Sequence, residues 1–296
     1  MKKRIFTGCA TALVTPFNDD CSVNYPRFRQ LIDEQIDGGV DALVICGTTG
    51  ESATLDNDEH CRLLEEAVKH ANGRVPIIAG TGSNDTMYAA QLSQHAESVG
   101  VDGLLMVTPY YNKTSQNGLI NHYFYVADRV KTPIILYNVP SRTGTAIKPE
   151  TYKELAKHEN IVAAKEANGD ISSVAVTKSL CGDDLDIYSG NDDQIIPILS
   201  LGGIGVISVL SNILPKETHS ICEEYFKGNV QKARDLQLKY VSLINALFSD
   251  VNPIPVKEAM NMMGLNMGPL RMPLYPMTDN AREALRQELI KHGLLK

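Results

Sequence analysis

Eight short apolar, β-branched runs alternate with stretches of helical periodicity, and this rhythm constrains the fold more than any other feature of the chain. The runs are Gly8 to Phe17, Ala42 to Gly47, Pro76 to Gly80, Gly103 to Thr108, Pro133 to Val139, Ile161 to Ala167, Ile187 to Gly190 and Gly205 to Val209. Their spacing of roughly 20 to 35 residues is what parallel βα units need. Between them, Phe28, Leu31, Ile32 and Ile36 share one helical face, as do Leu63, Leu64, Ala67 and Val68, then Leu92, Ala96 and Val99, then Ile221, Cys222, Tyr225 and Phe226. Asn24 and Asn84 mark helix starts, and Gly38-Gly39 and Gly100 mark helix ends. Eight such units predict an α/β fold, a (β/α)8 TIM barrel, over residues 1–228. An open doubly wound sheet is the structural alternative. It lacks support because no GxGxxG follows the first run.

Beyond residue 228 the rhythm changes. Ala233, Leu236, Tyr240, Leu243, Ile244 and Leu247 form a long helical stripe, and further helices are predicted near Val256 to Met263 and Asp279 to His292. Residues 229–296 therefore read as a C-terminal helical extension, rigidly attached because no Gly/Ser linker precedes it. The chain has 296 residues, 43% of them hydrophobic, enough for one barrel core plus this appendage.

Several function classes lose support on composition. A net charge of -7 with no basic run beyond the first four residues argues against nucleic-acid binding. The six cysteines form no CxxC pair, and no His/Cys/carboxylate cluster suggests a metal. Met1-Lys2-Lys3-Arg4 ahead of Ile5 to Phe17 faintly resembles a signal peptide, but Thr7, Gly8, Thr11 and Thr15 dilute it, and the segment reads better as a first strand. The uncharged stretch Gln194 to Pro215 is long enough for a bilayer. Pro197, Gly202, Gly203 and Gly205 break it into helix, turn and strand. A cytoplasmic enzyme outside the membrane is expected.

In such barrels active sites form where the strands end at their C-terminal side. Lys165 interrupts Ile161-Val162-Ala163-Ala164 near a strand end, and alternation puts Ile161, Ala163 and Lys165 on one face. If that face points inward, burial lowers the amine's basicity and makes it a nucleophile toward carbonyls. The alternative is a strand-end lysine reaching water or a carboxylate. Tyr137 ends the preceding strand, with Ile135 on the same face, so phenol and amine can meet and the phenol can carry a proton. A core tyrosine with a hydrogen-bonded tip is the plainer reading. Gly47-Thr48-Thr49-Gly50-Glu51 suits a small anion such as a carboxylate, or else is an ordinary tight turn. Arg142 offers a carboxylate fork just beyond Tyr137, unless it is simply solvated.

Seven segments in order carry a family resemblance: Gly47 to Ser52, Val107 to Asn112, Leu136 to Gly144, Ala164 to Ala167, Ser189 to Asp192, Gly205 to Val209 and Asn252 to Lys257. Together they resemble the dihydrodipicolinate synthase family, now called 4-hydroxy-tetrahydrodipicolinate synthases, from Gly8 to about Leu295. The resemblance implies condensation of pyruvate with L-aspartate 4-semialdehyde through a Schiff base on Lys165, the first committed step of the diaminopimelate route to L-lysine, with no metal or organic cofactor. It implies a proton relay of Tyr137, Thr49 and Tyr111, and a pyruvate carboxylate held by Thr48 and Thr49. Arg142 would meet the aldehyde's carboxylate, and Gly190 and Ile207 would offer backbone carbonyls. It also implies that Tyr111 of one subunit reaches its neighbour's site, in at least a tight dimer and commonly a homotetramer built as a dimer of dimers. Positions matching a lysine-feedback cleft are Ser52, Ala53, Asn57, His60, Asn84, Tyr88 and Tyr110. Feedback-inhibited relatives often carry histidine where Asn57 stands and glutamate where Tyr88 stands, so weak or absent inhibition is expected here. The alternatives are N-acetylneuraminate lyase or a keto-deoxy-sugar aldolase of the same superfamily, a non-catalytic barrel, and a pyridoxal-phosphate enzyme. The last lacks a phosphate cup.

Overall fold

Side-chain caps set half of the twelve helix starts. Asn24 accepts from the Arg27 amide, and Asp56 forms a reciprocal capping box with Glu59. Asp85 caps the third helix, one residue later than the Asn84 expected from sequence, with its carboxylate accepting from the Met87 amide at 2.9 Å. In the computed structural model, which describes residues 2–296, the elements follow in order. They are β1 (Gly8–Ala12), α1 (Tyr25–Asp37), β2 (Ala42–Ile45), α2 (Asn57–Ala71), β3 (Ile77–Gly80), α3 (Thr86–Val99), β4 (Gly103–Val107), α4 (Gln116–Ala127), β5 (Ile134–Asn138), α5 (Pro140–Thr143) and α6 (Pro149–Leu155). Then come β6 (Ile161–Glu166), α7 (Ile171–Cys181), β7 (Asp186–Ser189), α8 (Ile195–Ser200), β8 (Gly205–Ser208), α9 (Pro215–Phe226), α10 (Val230–Leu247), α11 (Ile254–Met262) and α12 (Asp279–Lys291).

All eight strands pair in parallel and in sequence order, and β8 closes on β1. The fold is a TIM barrel. Closure needs glycine at position 205, where a Cβ would stand 2.1 Å from the Gly8 carbonyl oxygen. Phe6 stacks on Tyr188 at 4.2 Å, and the Tyr188 hydroxyl donates to the Phe6 carbonyl at 2.7 Å.

Two apolar layers follow from strand alternation. Val44, Ile78, Leu105, Ile135 and Ile207 fill the barrel, while Leu43, Ile77, Leu104, Ile134 and Leu136 face the helices. β6 departs from the alternation expected from sequence. Ile134 pairs with Ile161 but Ile135 pairs with Ala163, so Val162 is an extra residue. Ile161 therefore packs outward, Val162 and Ala163 both turn inward, and only from there does alternation carry Lys165 to the inside. The first strand is also shorter than the run Gly8 to Phe17, since Leu13 onward leaves the sheet to build the mouth.

The six cysteines are unbonded. Among the described residues no helix is long and apolar enough to cross a membrane, and no group of three or more His, Cys, Asp or Glu side chains could hold a metal ion.

Candidate active site

The register of β5 on β6 sets Tyr137 directly opposite Lys165. Both side chains are buried, and the Lys165 Nζ stands 4.3 Å from the centroid of the Tyr137 ring. Desolvation brings the Lys165 amine down to about 7, and the nearby Arg142 charge pushes the same way while Asp192 opposes it. Burial raises the Tyr137 phenol, with the Arg142 charge and the Thr48 hydroxyl pulling it back. An amine about half uncharged near neutrality, with a protonated phenol against it, can add to a carbonyl and hand a proton to the oxygen that leaves.

What holds the two strand ends together was not read from the sequence. Asn138 and Glu166 are the next pair along, and Asn138 Nδ2 donates to both Glu166 carboxylate oxygens at 3.0 and 3.1 Å. Tyr152 donates to Glu166 Oε2 at 2.9 Å and the Asn168 amide to Oε1 at 3.0 Å. Burial lifts this carboxyl to about 7 despite those donors. Alternation turns Glu166 away from Lys165, so it fixes the strand rather than pairing with the amine.

The loop after β2 turns back on itself, with the Gly50 amide bonding the Gly47 carbonyl at 3.1 Å and the Glu51 amide bonding Thr48 at 3.1 Å. The two threonines separate in a way the sequence does not disclose. The Thr48 hydroxyl is among the groups that pull the Tyr137 phenol down. Thr49 Oγ1 instead accepts from Asn252 Nδ2 at 3.0 Å. Glu51, in the left-handed region at φ 56°, is fully buried and pairs with Lys257 Nζ at 2.7 Å. Its other oxygen accepts from the Arg271 amide at 3.0 Å. The segments after α10 and α11 thus grip the loop, and no local pattern could have announced contacts more than 200 residues apart.

The loops after β7 and β8 complete the mouth. A Cβ on Gly190 would lie 2.7 Å from that of Ala167 and 3.2 Å from Lys165 Cε, so glycine leaves the lysine its space. Ile207 lies inside the barrel on β8, paired with Ala10. Asp192 accepts from the amides of Val209 at 3.0 Å and Leu210 at 2.9 Å, while its Oδ1 is buried without a partner. Arg142, on α5, lies exposed at the lip and donates to the Asn252 carbonyl at 3.2 Å.

Tyr111 does not join these groups. It is 91% exposed, on a left-handed residue (φ 69°) beyond β4. Of the expected feedback positions, Ser52, Ala53, His60, Tyr88 and Tyr110 line a cleft of about 340 Å³ that also touches Thr48 and Arg142. Asn57 and Asn84 are not in its lining: Asn57 Oδ1 accepts from the Tyr88 hydroxyl at 3.5 Å, and the Asn84 carbonyl accepts from Asn112 at 2.9 Å. The His60 imidazole contacts the Gly80 carbonyl at 2.9 Å, and burial lowers it to about 4, so it carries no charge near neutrality.

A buried, weakly basic amine beside a phenol at the barrel mouth is the arrangement found in barrel enzymes that work through a lysine imine. The relatives narrow that class. The Dihydrodipicolinate synthetase family profile matches residues 5–292, and the chain belongs to this family. It is 54% identical over 290 residues to a 4-hydroxy-tetrahydrodipicolinate synthase of Caldicellulosiruptor bescii, covering 98% of each chain. It is 54% identical over 292 residues to the enzyme of that name from Clostridium perfringens, covering 99% of this chain and 100% of the relative. Among solved structures, the dihydrodipicolinate synthase of Thermotoga maritima superimposes with a TM-score of 0.96 at 43% identity, over 99% of this chain and 100% of that one.

Proposed function

We propose that this chain condenses pyruvate with L-aspartate 4-semialdehyde as a 4-hydroxy-tetrahydrodipicolinate synthase, with Lys165 as the nucleophile. The observation that carries the reading is the buried, weakly basic Lys165 set in register against Tyr137. The free amine adds to the keto carbon of pyruvate. The carbinolamine loses its hydroxyl as water, with Tyr137 delivering the proton. The resulting iminium draws electrons from the methyl group, which gives up a proton to form an enamine. The enamine carbon attacks the aldehyde, and the amino group of that substrate displaces Lys165 as the ring closes.

Thr48 serves the relay in place of the Thr49 expected from sequence, a reading supported by its pull on the Tyr137 phenol. Thr49 is left for the pyruvate carboxylate, beside Thr48, and Gly190 and Ile207 frame the bound intermediate from β7 and β8. Arg142 serves the aldehyde's carboxylate. Its charge at the lip favours a short acidic aldehyde over the polyol chain of N-acetylneuraminate lyase or a keto-deoxy-sugar aldolase. Assay of both aldehyde types with pyruvate separates these readings, and turnover of the sugar acid alone would overturn the assignment.

Residues 1–228 form the catalytic barrel in this reading, and residues 229–296 an extension that braces its mouth. The exposure of Tyr111 supports a role in a neighbouring subunit's relay, hence a homo-oligomer, with a dimer of dimers as the proposed assembly. Six free thiols suit the reducing cytoplasm. L-lysine is a weak effector at most, because the cleft beside Tyr88 and His60 presents an uncharged imidazole and no free carboxylate to an ammonium group.

A further inference from the structure

Asn252 touches two residues that the reading above assigns to different substrates. Its Nδ2 donates to Thr49 Oγ1 at 3.0 Å, and its backbone carbonyl accepts from Arg142 Nη2 at 3.2 Å. The residue is 6% exposed, it lines the cleft at the mouth, and its Oδ1 is buried without a partner.

The direction of the first bond has a consequence. A threonine hydroxyl has one hydrogen to give and lone pairs to receive. The amide nitrogen of Asn252 can only donate, so Thr49 accepts from it. The one hydrogen of Thr49 is then left uncommitted, since Asn252 is the only side-chain partner of Oγ1 among the described residues. An anion in the mouth needs a donor, and a hydroxyl whose lone pair is already engaged is a better donor, because chained hydrogen bonds polarise one another.

We propose that Asn252 is a positioning residue, which by donating to Thr49 commits that hydroxyl to donate to the carboxylate of pyruvate. The inference rests on the assignment of pyruvate to this mouth. It gives the segment between α10 and α11 a part in substrate selection, and it gives the bond to Arg142 a separate one, because that bond comes from the backbone and survives any change of side chain.

Asn252→Asp keeps the shape and reverses the polarity. Its oxygens only accept, so they draw the Thr49 hydrogen to themselves and set a second negative charge beside the first. The measurement is the pyruvate concentration that gives half-maximal borohydride trapping on Lys165, read with KM for each substrate and the melting temperature. In Asn252→Asp the half-trapping concentration rises roughly 10- to 100-fold, the factor carried by one hydrogen bond to a charged group, while KM for the aldehyde moves less. Asn252→Ala removes the donor without adding charge and guards against an Asp variant that folds poorly. It raises half-trapping by roughly three- to tenfold, in line with a neutral bond. Half-trapping within twofold of the wild type in a folded variant overturns the proposal. Failure of pyruvate to trap on the wild-type enzyme is a different result: it removes the imine reading, and this inference with it.

Discussion

Lys165 stands in the barrel mouth and Lys257 in the seam between the loop after β2 and α11, and both are sealed from water, at 5% and 1% exposure. Desolvation lowers both amines, to about 7 and about 8. The difference lies in what each faces. Lys257 has a carboxylate at 2.7 Å and the Phe17 ring at 4.0 Å, so its proton has a fixed partner and its lone pair is never offered. Lys165 has a phenol at its side and a carboxylate, Asp192, whose two amide bonds tie it elsewhere. Burial alone therefore does not make a nucleophile of a lysine. Burial without a bound counter-charge does.

The comparison can be broken most decisively at Lys165. Lys165→Ala should abolish the pyruvate adduct in borohydride trapping followed by peptide mapping, with no label appearing on the peptide that holds Lys257. An adduct on Lys257 would show that the ion pair does not protect it. Tyr137→Phe should slow condensation by roughly 10²- to 10⁴-fold, the usual reach of a general acid, with the fold intact by circular dichroism. Unaltered turnover would remove the phenol from the relay.

On the other side, Glu51→Gln should leave the Lys257 amine buried without its counter-charge and cost about 3–5 kcal/mol in denaturant unfolding. The double change Glu51→Gln, Lys257→Met should recover much of that loss, and equal destabilisation in single and double variants would show that the pair is not coupled. The pH dependence sharpens the contrast further. The free amine of Lys165 grows as pH rises through about 7, so trapping should climb about tenfold per pH unit below that point and level off above it. A rate still climbing toward 10 would mean an ordinary lysine. The same lowered pKa has a stability sign. The unfolded chain binds this proton up to its higher unperturbed value, so the destabilising contribution is full below about 7 and is relieved as pH rises from there toward 10.5. The smallest effect concerns L-lysine. Sub-millimolar L-lysine should leave the rate nearly unchanged, and half-inhibition there would give the Tyr88 cleft a function denied to it here.

Much of the reactive side of this contrast was legible in the sequence. Lys165 interrupts an apolar strand, Tyr137 ends the strand before it, and sequential strands are neighbours in a barrel. The structural side was not. Asn252 and Lys257 were visible as a motif, but their partners Thr49 and Glu51 lie across the whole chain, and periodicity carries no information over that distance. Which of Thr48 and Thr49 serves the proposed relay was hidden for a smaller reason. Two adjacent hydroxyls in a tight turn look alike until backbone torsions say which one faces the phenol. The extra residue in β6 was hidden too, because Ile161, Val162 and Ala163 are all apolar and fit either layer.

That extra residue has a reach beyond packing. Strict two-residue alternation counted from the outward Ile161 would seat Glu166 within the barrel and throw Lys165 out among the helices. An acidic hollow would then stand where the proposed electrophile trap is. The sign of the charge at the heart of this enzyme depends on one uncounted backbone step, so lineages that gain or lose a codon in this strand without a compensating irregularity should keep the barrel and lose the chemistry.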